Sequence, residues 1–259
     1  MTTLQNQALI EQAAHHLLAA RKARKAGPRL PEAARPQDLE TAFAIQQNVA
    51  ELLGEPIGAW KCSLPSTGKL VAAPIYQSTI HRVSPAPVLV TGDTVKIEPE
   101  VAFVLKHDLA PRATPYSQEE ILAAVGEVRL VLELMGTRYE EWDTSRFNEN
   151  LADSLFNQGL FIGPEVAIGL DGKFAAFPIE LSDANGVLNT YDGKHPDGGP
   201  VFPVHWLANY LSEHGITLKA GQTIITGSYA GMIEVPLNTP LTLRFGEFGS
   251  LAVELTAQP

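Results

Sequence analysis

The stretch KIEPEVAFVL at residues 96–105 sets two carboxylates, Glu98 and Glu100, at alternate positions of a run that otherwise reads as a half-buried strand. Side chains two apart on a strand share a face, so the pair lies side by side and repels unless a cation sits between them. A third carboxylate, Glu133, interrupts the apolar run RLVLELMG shortly before Gly136. Burying an ionised carboxylate is costly unless it is paired or bound to a metal. Three of them at strand ends would make a hard oxygen site suited to Mg2+ or Mn2+ rather than to zinc. The competing readings are an exposed charged strand face, or a Glu–Lys pair such as Lys96 with Glu98.

Other residues have chemistry available to them. Lys61 lies between apolar neighbours in IGAWKCSL; it binds a substrate carboxylate, or shifts its pKa toward acid–base use, or snorkels to solvent. Arg138, five residues after Glu133, either clamps a carboxylate or pairs at the surface with Glu140 or Glu141. NENLADSLFNQG brings Asp153, Ser154 and Asn157 together ahead of a strand, as part of a site or as a helix cap and turn. His195 and His205 are isolated and read as surface or capping residues. The loop DGKHPDGGP at 192–200 is long and polar enough to form a rim or lid.

These residues need elements to hold them. Apolar positions at helical spacing mark a helix over residues 5–26, and DLETAFAIQQNVAELLG repeats the pattern from an Asp38 N-cap to a Gly54 stop. From residue 57 the texture changes to short apolar or alternating runs broken by Gly, Pro, Asn and Asp, which read as mixed or antiparallel sheet. Helices near SQEEILAAVGEV and PVFPVHWLANYLSEHG interrupt it, the second ending at Gly215. The division expected is a helical segment at 1–56 and a β-rich catalytic domain at 57–259.

Composition narrows the function. The 259 residues, 45% hydrophobic and 19% charged, suit a globular protein with a sizeable core. A net charge of -10 argues against nucleic acid or an anionic membrane surface as partner. The one basic cluster, ARKARKAGPR at 20–29, closes a helix, where Lys and Arg suit the dipole. The single cysteine, Cys62, excludes an internal disulfide and Cys-based zinc motifs. With no signal-peptide pattern and no run approaching about 18 apolar residues, the expected location is cytoplasmic. Regular β-α alternation and G-x-G-x-x-G are missing, which argues against a nicotinamide-binding sheet. STGK at 66–69 lacks the first glycine of a P-loop, and TGSYAG at 226–231 is not a nucleophile elbow.

Taken in order, IEPEVAFVL, LELMGTRYEEW, LADSLFNQGLFIGP, GGPVFPVHWLANYLSEHGITLKAGQTIITGS and FGEFGSLAVEL resemble the 2-hydroxypenta-2,4-dienoate (2-oxopent-4-enoate) hydratases and the related 4-oxalocrotonate decarboxylases of the fumarylacetoacetate-hydrolase-like superfamily. The resemblance spans nearly the whole chain from about residue 38. It implies a β-rich α+β fold, a rolled mixed sheet like the fumarylacetoacetate hydrolase C-terminal domain with an N-terminal helical segment, and a homo-oligomer. It also implies Mg2+ or Mn2+ held by Glu98, Glu100 and Glu133, with Lys61 and Arg138 falling on the family's lysine and arginine. Asp153 and Ser154 fall on its acid–base segment, and Asn157, Gly227 and Ser228 line the substrate.

The implied substrate is a small 2-hydroxydienoate or 2-oxo acid from aromatic catabolism, which offers a metal one carboxylate oxygen and its 2-oxygen. Hydration to 4-hydroxy-2-oxopentanoate is the expected reaction. The alternatives are 4-oxalocrotonate decarboxylation, acylpyruvate C–C hydrolysis, and a silent relative that binds an oxo acid or stabilises another enzyme of the pathway. Two positions depart from the family: Ile75 stands where an acidic residue is usual, and Ser154 where an asparagine is usual.

Overall fold

In the computed structural model, which describes residues 3–90, 92–167 and 174–258, two helices open the chain, α1 (Thr3–Ala23) and α2 (Leu39–Leu53). The Asp38 side chain accepts the Thr41 N–H at 2.7 Å, and Gly54 closes α2 in the left-handed region at φ 68°. Both ends follow from ordinary capping chemistry.

Fourteen strands and three more helices follow, among the described residues. They run β1 (Ile57–Ser66), β2 (Lys69–Tyr76), β3 (Ile80–His81), β4 (Ala86–Val88), β5 (Thr94–Leu105), α3 (Gln118–Ala124), β6 (Val125–Met135), α4 (Phe147–Ala152), β7 (Asn157–Glu165), β8 (Ala176–Asp183), β9 (Gly186–Lys194), α5 (Val201–Glu213), β10 (Thr223–Ile225), β11 (Ile233–Pro236), β12 (Leu241–Phe245), β13 (Gly249–Val253) and β14 (Leu255–Ala257). Helix α3 is shorter than its apolar run suggests. The backbone turns to strand at Val125, so VGEV begins β6 instead.

The main sheet has eight strands in the order β2-β1-β10-β5-β6-β7-β3, with β11 also on β5. It is mixed, β1–β10 and β3–β7 being parallel and the other pairs antiparallel. It curls into a half-barrel, giving a β-rich α+β fold with N-terminal helices. A four-stranded sheet, β13-β12-β8-β9, packs against it. Strand β9 escaped the sequence pattern. It is an edge strand whose side chains are nearly all exposed, so it shows no apolar alternation.

Alternation along β5 separates two faces. Ile97, Val101 and Phe103 join the large core that includes Trp60, Leu130, Leu132 and Phe245. Ala102 faces a small apolar floor with Ala59, Ile75, Val131, Leu160, Ile162 and Ile225. Glu98 and Glu100 continue that second face toward the N-terminal end of β5. Helices α1 and α2 pack through Ile10, Ala13, Leu17, Ala42 and Ile45 onto Tyr76, Tyr139, Leu151 and Leu155. That contact carries them up to the end of the sheet where the carboxylates lie.

Strand β7 approaches the 77–79 turn so closely that a Cβ at Gly159 would lie 2.4 Å from the Thr79 carbonyl oxygen. Backbone cannot yield as a flexible side chain can. Gly159→Ala is expected to lower the unfolding free energy by about 1–3 kcal/mol, measured by urea denaturation.

Candidate metal centre and active site

Glu98 and Glu133 are direct cross-strand partners on β5 and β6, and Glu100 lies one pleat deeper. One oxygen from each of the three carboxylates falls within 4.8 Å of the others. Glu100 and Glu133 are each only 1% exposed, and Glu98 is half-buried. Like charges facing each other across a sheet destabilise it, so this patch must be compensated.

The protein supplies part of that compensation. Lys61, on β1, places Nζ 2.5 Å from Glu133 Oε1, and Asn157 Nδ2 donates to the same oxygen at 2.9 Å. Glu100 Oε2 accepts the backbone N–H groups of Thr226 and Gly227 at 2.8 and 2.6 Å. Glu133 Oε2 is buried with no hydrogen-bond partner among the described residues. Burial, then the charge of Glu133, lifts the Glu98 pKa to about 7, and burial with the charges of Glu133 and Glu98 holds Glu100 well above the carboxylate range. Burial opposes the Lys61 ammonium, but the charges of Glu133 and Glu98 outweigh it and raise its pKa. One ammonium against three carboxylates leaves negative charge over. A divalent cation fits that excess, the all-oxygen donor set and the orphaned Glu133 oxygen.

Arg138 is neither at the surface with Glu140 or Glu141 nor free to clamp a substrate. Its Nε meets Asp153 Oδ1, its Nη2 the Asp153 carbonyl and its Nη1 the Asn157 carbonyl, each at 2.6 Å. Its own N–H donates to Asp153 Oδ2 at 3.0 Å. Asp153, expected as a catalytic group, therefore has both carboxylate oxygens committed to Arg138. The pair is a brace beneath the turn that follows.

In that turn Ser154, Leu155 and Phe156 take φ values of 66°, 52° and 63°. Left-handed backbone costs an L-residue about 1–2 kcal/mol each, so the turn must be held. It delivers the Leu155 carbonyl to Lys61 Nζ at 3.1 Å and starts β7 at Asn157, whose side chain reaches Glu133.

On the opposite side, Gly227 gives its N–H to Glu100, and Ser228 Oγ donates to the carbonyls of Pro99 and Gly231 at 3.3 and 2.8 Å. His195 is buried, with Nε2 3.2 Å from Thr226 Oγ1 and Nδ1 accepting the Asp197 N–H at 3.1 Å. Burial pushes its pKa down to about 4. The 195–200 segment is pinned rather than free, since Asp197 Oδ2 accepts the Leu64 N–H at 2.8 Å and residues 192–194 belong to β9. His205, on α5, bonds the Tyr116 carbonyl away from the three carboxylates.

Sequence reasoning missed Arg21. It lies in the last turn of α1, as expected of the basic cluster, but its Nη2 is also 3.2 Å from the Asp153 carbonyl and 3.2 Å from Ser154 Oγ. A signal existed: Arg21 follows Leu17 by four positions, on the stripe that includes Ile10, Ala13 and Leu17. The Leu155 carbonyl and the Thr226 N–H are backbone groups and leave no mark in side-chain identity.

No family model matches the chain. The fold superposes on solved structures of the fumarylacetoacetate-hydrolase-like class. One is the maleylpyruvate hydrolase from Sphingobium sp. SYK-6, at TM-score 0.50 and 17% identity over 78% of this chain and 72% of that one. Another is the 4-oxalocrotonate decarboxylase from Pseudomonas putida G7, complexed with magnesium and adipate, at TM-score 0.76 and 20% identity over 98% of both chains. In sequence, the 2-keto-4-pentenoate hydratase of Paraburkholderia phymatum is 26% identical across 93% of this chain and 95% of its own length. The chain is thus similar in sequence to 2-keto-4-pentenoate hydratases and in fold to a 4-oxalocrotonate decarboxylase. Among the described residues, no helix is long and apolar enough to cross a membrane.

The Glu98 pKa has a consequence for stability. At about 7 it lies above that of a free glutamate, so the folded chain holds this proton where the unfolded chain has lost it. Its stabilising contribution is complete below about pH 4.5 and disappears as the pH rises through about 7. Without metal, the wild type should lose stability relative to Glu98→Gln between about pH 5 and pH 8. Thermal unfolding of both proteins across that range checks it, and parallel profiles would show Glu98 ionised throughout.

Proposed function

We propose that the protein is a Mg2+- or Mn2+-dependent hydratase that converts 2-hydroxypenta-2,4-dienoate to 4-hydroxy-2-oxopentanoate in aromatic catabolism. The observation that carries the proposal is the carboxylate triad with Lys61 against Glu133 and one Glu133 oxygen left unpartnered. Glu98, Glu100 and Glu133 would hold the ion. Bound there, it supplies Lewis-acid stabilisation of negative charge on the substrate's carboxylate and 2-oxygen.

The remaining work falls to the chain. Thr226 and Gly227 aim Glu100, while Asn157 and Lys61 aim Glu133. Lys61 keeps a proton on Nζ at the edge of the triad, where it neutralises a carboxylate and can serve the substrate's own. The apolar floor of Val131, Leu160, Ile162 and Ile225 keeps water from the deep side of the site. The net reaction moves the 2-hydroxyl proton to C5 and adds water across C3 and C4, the hydroxyl going to C4 and the proton to C3. Arg138 and Asp153 take part as positioning residues. The family resemblance adds a homo-oligomer to this reading.

A second reading, decarboxylation of 4-oxalocrotonate, is favoured by Ile75. It is fully buried in the apolar floor, at the position where the resemblance implies an acid. Loss of CO2 does not require a water molecule to be activated, so it tolerates that loss better than hydration does.

The test follows the ultraviolet absorbance of 2-hydroxypenta-2,4-dienoate and of oxalocrotonate with Mg2+ or Mn2+, then with chelator. Metal-dependent loss of the dienoate supports hydration, and turnover of oxalocrotonate alone supports decarboxylation. Glu100→Gln should abolish the metal-dependent rate while unfolding stays cooperative. Turnover of neither substrate would sink both readings.

A further inference from the structure

We propose that Arg21, on the N-terminal helix, is a positioning residue of the active site: it clamps the left-handed turn at Ser154–Phe156 so that the Leu155 carbonyl holds the Lys61 ammonium against Glu133. The inference rests on the reading of Lys61 as part of the reacting centre.

Three consecutive residues other than glycine at positive φ are a strained segment, and such a segment persists only where its surroundings over-determine it. Arg138 braces the turn through the carbonyls of Asp153 and Asn157. Arg21 reaches the same Asp153 carbonyl and adds a contact to Ser154 that Arg138 does not make. Its Nη2 reaches the Asp153 carbonyl and Ser154 Oγ at 3.2 Å and Asp153 Oδ1 at 3.5 Å. Ser154, the first of the strained residues, thus has its side chain tied to α1 while its backbone turns left-handed.

Charge balance does not explain Arg21. Arg138 already answers the Asp153 carboxylate with a 2.6 Å contact, and a second guanidinium beside it adds repulsion. That cost is offset by the two oxygen contacts on the turn and by the Tyr76 ring, over which the guanidinium lies 5.3 Å from the centroid. The apolar stripe Ile10, Ala13, Leu17 seats the helix on Tyr76, Leu151 and Leu155 and brings Arg21 to this place. What the turn delivers is catalytic geometry: the Leu155 carbonyl on Lys61 Nζ at 3.1 Å, and Asn157 Nδ2 on the same Glu133 oxygen that Lys61 holds. A helix that touches none of the three carboxylates therefore helps to set the contacts of one of them.

The test compares Arg21→Met, which keeps the aliphatic length, with Arg21→Lys, which keeps a cationic donor for the same oxygens, in the full chain. Steady-state kinetics with Mg2+ are combined with amide hydrogen exchange of residues 153–157 and with thermal unfolding. Arg21→Met should lower kcat about tenfold or more with a smaller change in KM, as a displaced reacting group does. It should also speed exchange at 153–157. Arg21→Lys should recover most of both, although the two variants unfold at similar temperatures. Unchanged kcat in Arg21→Met, or equal losses in the two variants, would overturn the proposal. If the wild type turns over neither dienoate nor oxalocrotonate, the activity reading fails on its own. The exchange then decides the clamp, with unchanged protection in Arg21→Met ruling it out.

Discussion

Mutual repulsion among three buried carboxylates is the constraint that the rest of this site answers. Two unit charges 4.8 Å apart repel by roughly 3 to 4 kcal/mol at an effective dielectric constant of about 20. Three such pairs would use up much of a domain's net stability. The chain offsets them with the Lys61 ammonium, the Asn157 amide and two backbone N–H groups on Glu100. What remains is met either by protons, which the raised pKa values of Glu98 and Glu100 show the site will hold, or by a divalent cation. Protons and a divalent cation would therefore compete for the same oxygens.

Sheet register is what makes this arrangement possible. Glu98 opposite Glu133, with Glu100 one pleat deeper, places all three on the face that also holds Ala102 and Val131. A slip of one residue would send the carboxylates into the large core with Phe103 and Leu132. Both faces are filled, so no alternative register is affordable. Irregular pairing of β6 with β7 between Leu134 and Met135 breaks the ladder beside the site, and the left-handed turn before β7 swings Asn157 toward Glu133. On the other flank, neutral His195 meets Thr226 Oγ1, on the residue whose N–H supports Glu100. The carboxylates are thus approached from both flanks by groups that carry no negative charge.

Most of the triad was legible in the sequence, because strand alternation and the cost of burial act on side-chain types that can be read directly. The helix ends at Asp38 and Gly54 were legible for the same local reason. What could not be read is how the strands pair, since Glu133 lies 33 residues beyond Glu100 and only the hairpin register brings them together. Arg138 offered two readings and took a third, buried against Asp153, because the turn it braces is defined by backbone angles at Ser154, Leu155 and Phe156 that no composition rule anticipates. Arg21 sat inside a cluster of surface-like basic residues. Only its place on the apolar stripe of α1 distinguished it from Lys22 and Lys25.

The two departures from the family fall on different parts of the site, and this separates binding from chemistry. Ile75 is sealed in the apolar floor, so an acid that the resemblance places there would be lost without touching the triad. Ser154 lies on the turn, where Arg21 engages its hydroxyl, so it alters how Lys61 is presented rather than which atoms face a metal. Both changes leave the oxygen donors in place. Hydration and decarboxylation make the same demand on those donors and differ in where protons and water must be delivered. On the proposed reading, β2 and the 154–156 turn would bear on the reaction and β5 and β6 on the cation. The electrostatic requirement ties the second pair of strands far more tightly than the first pair of segments.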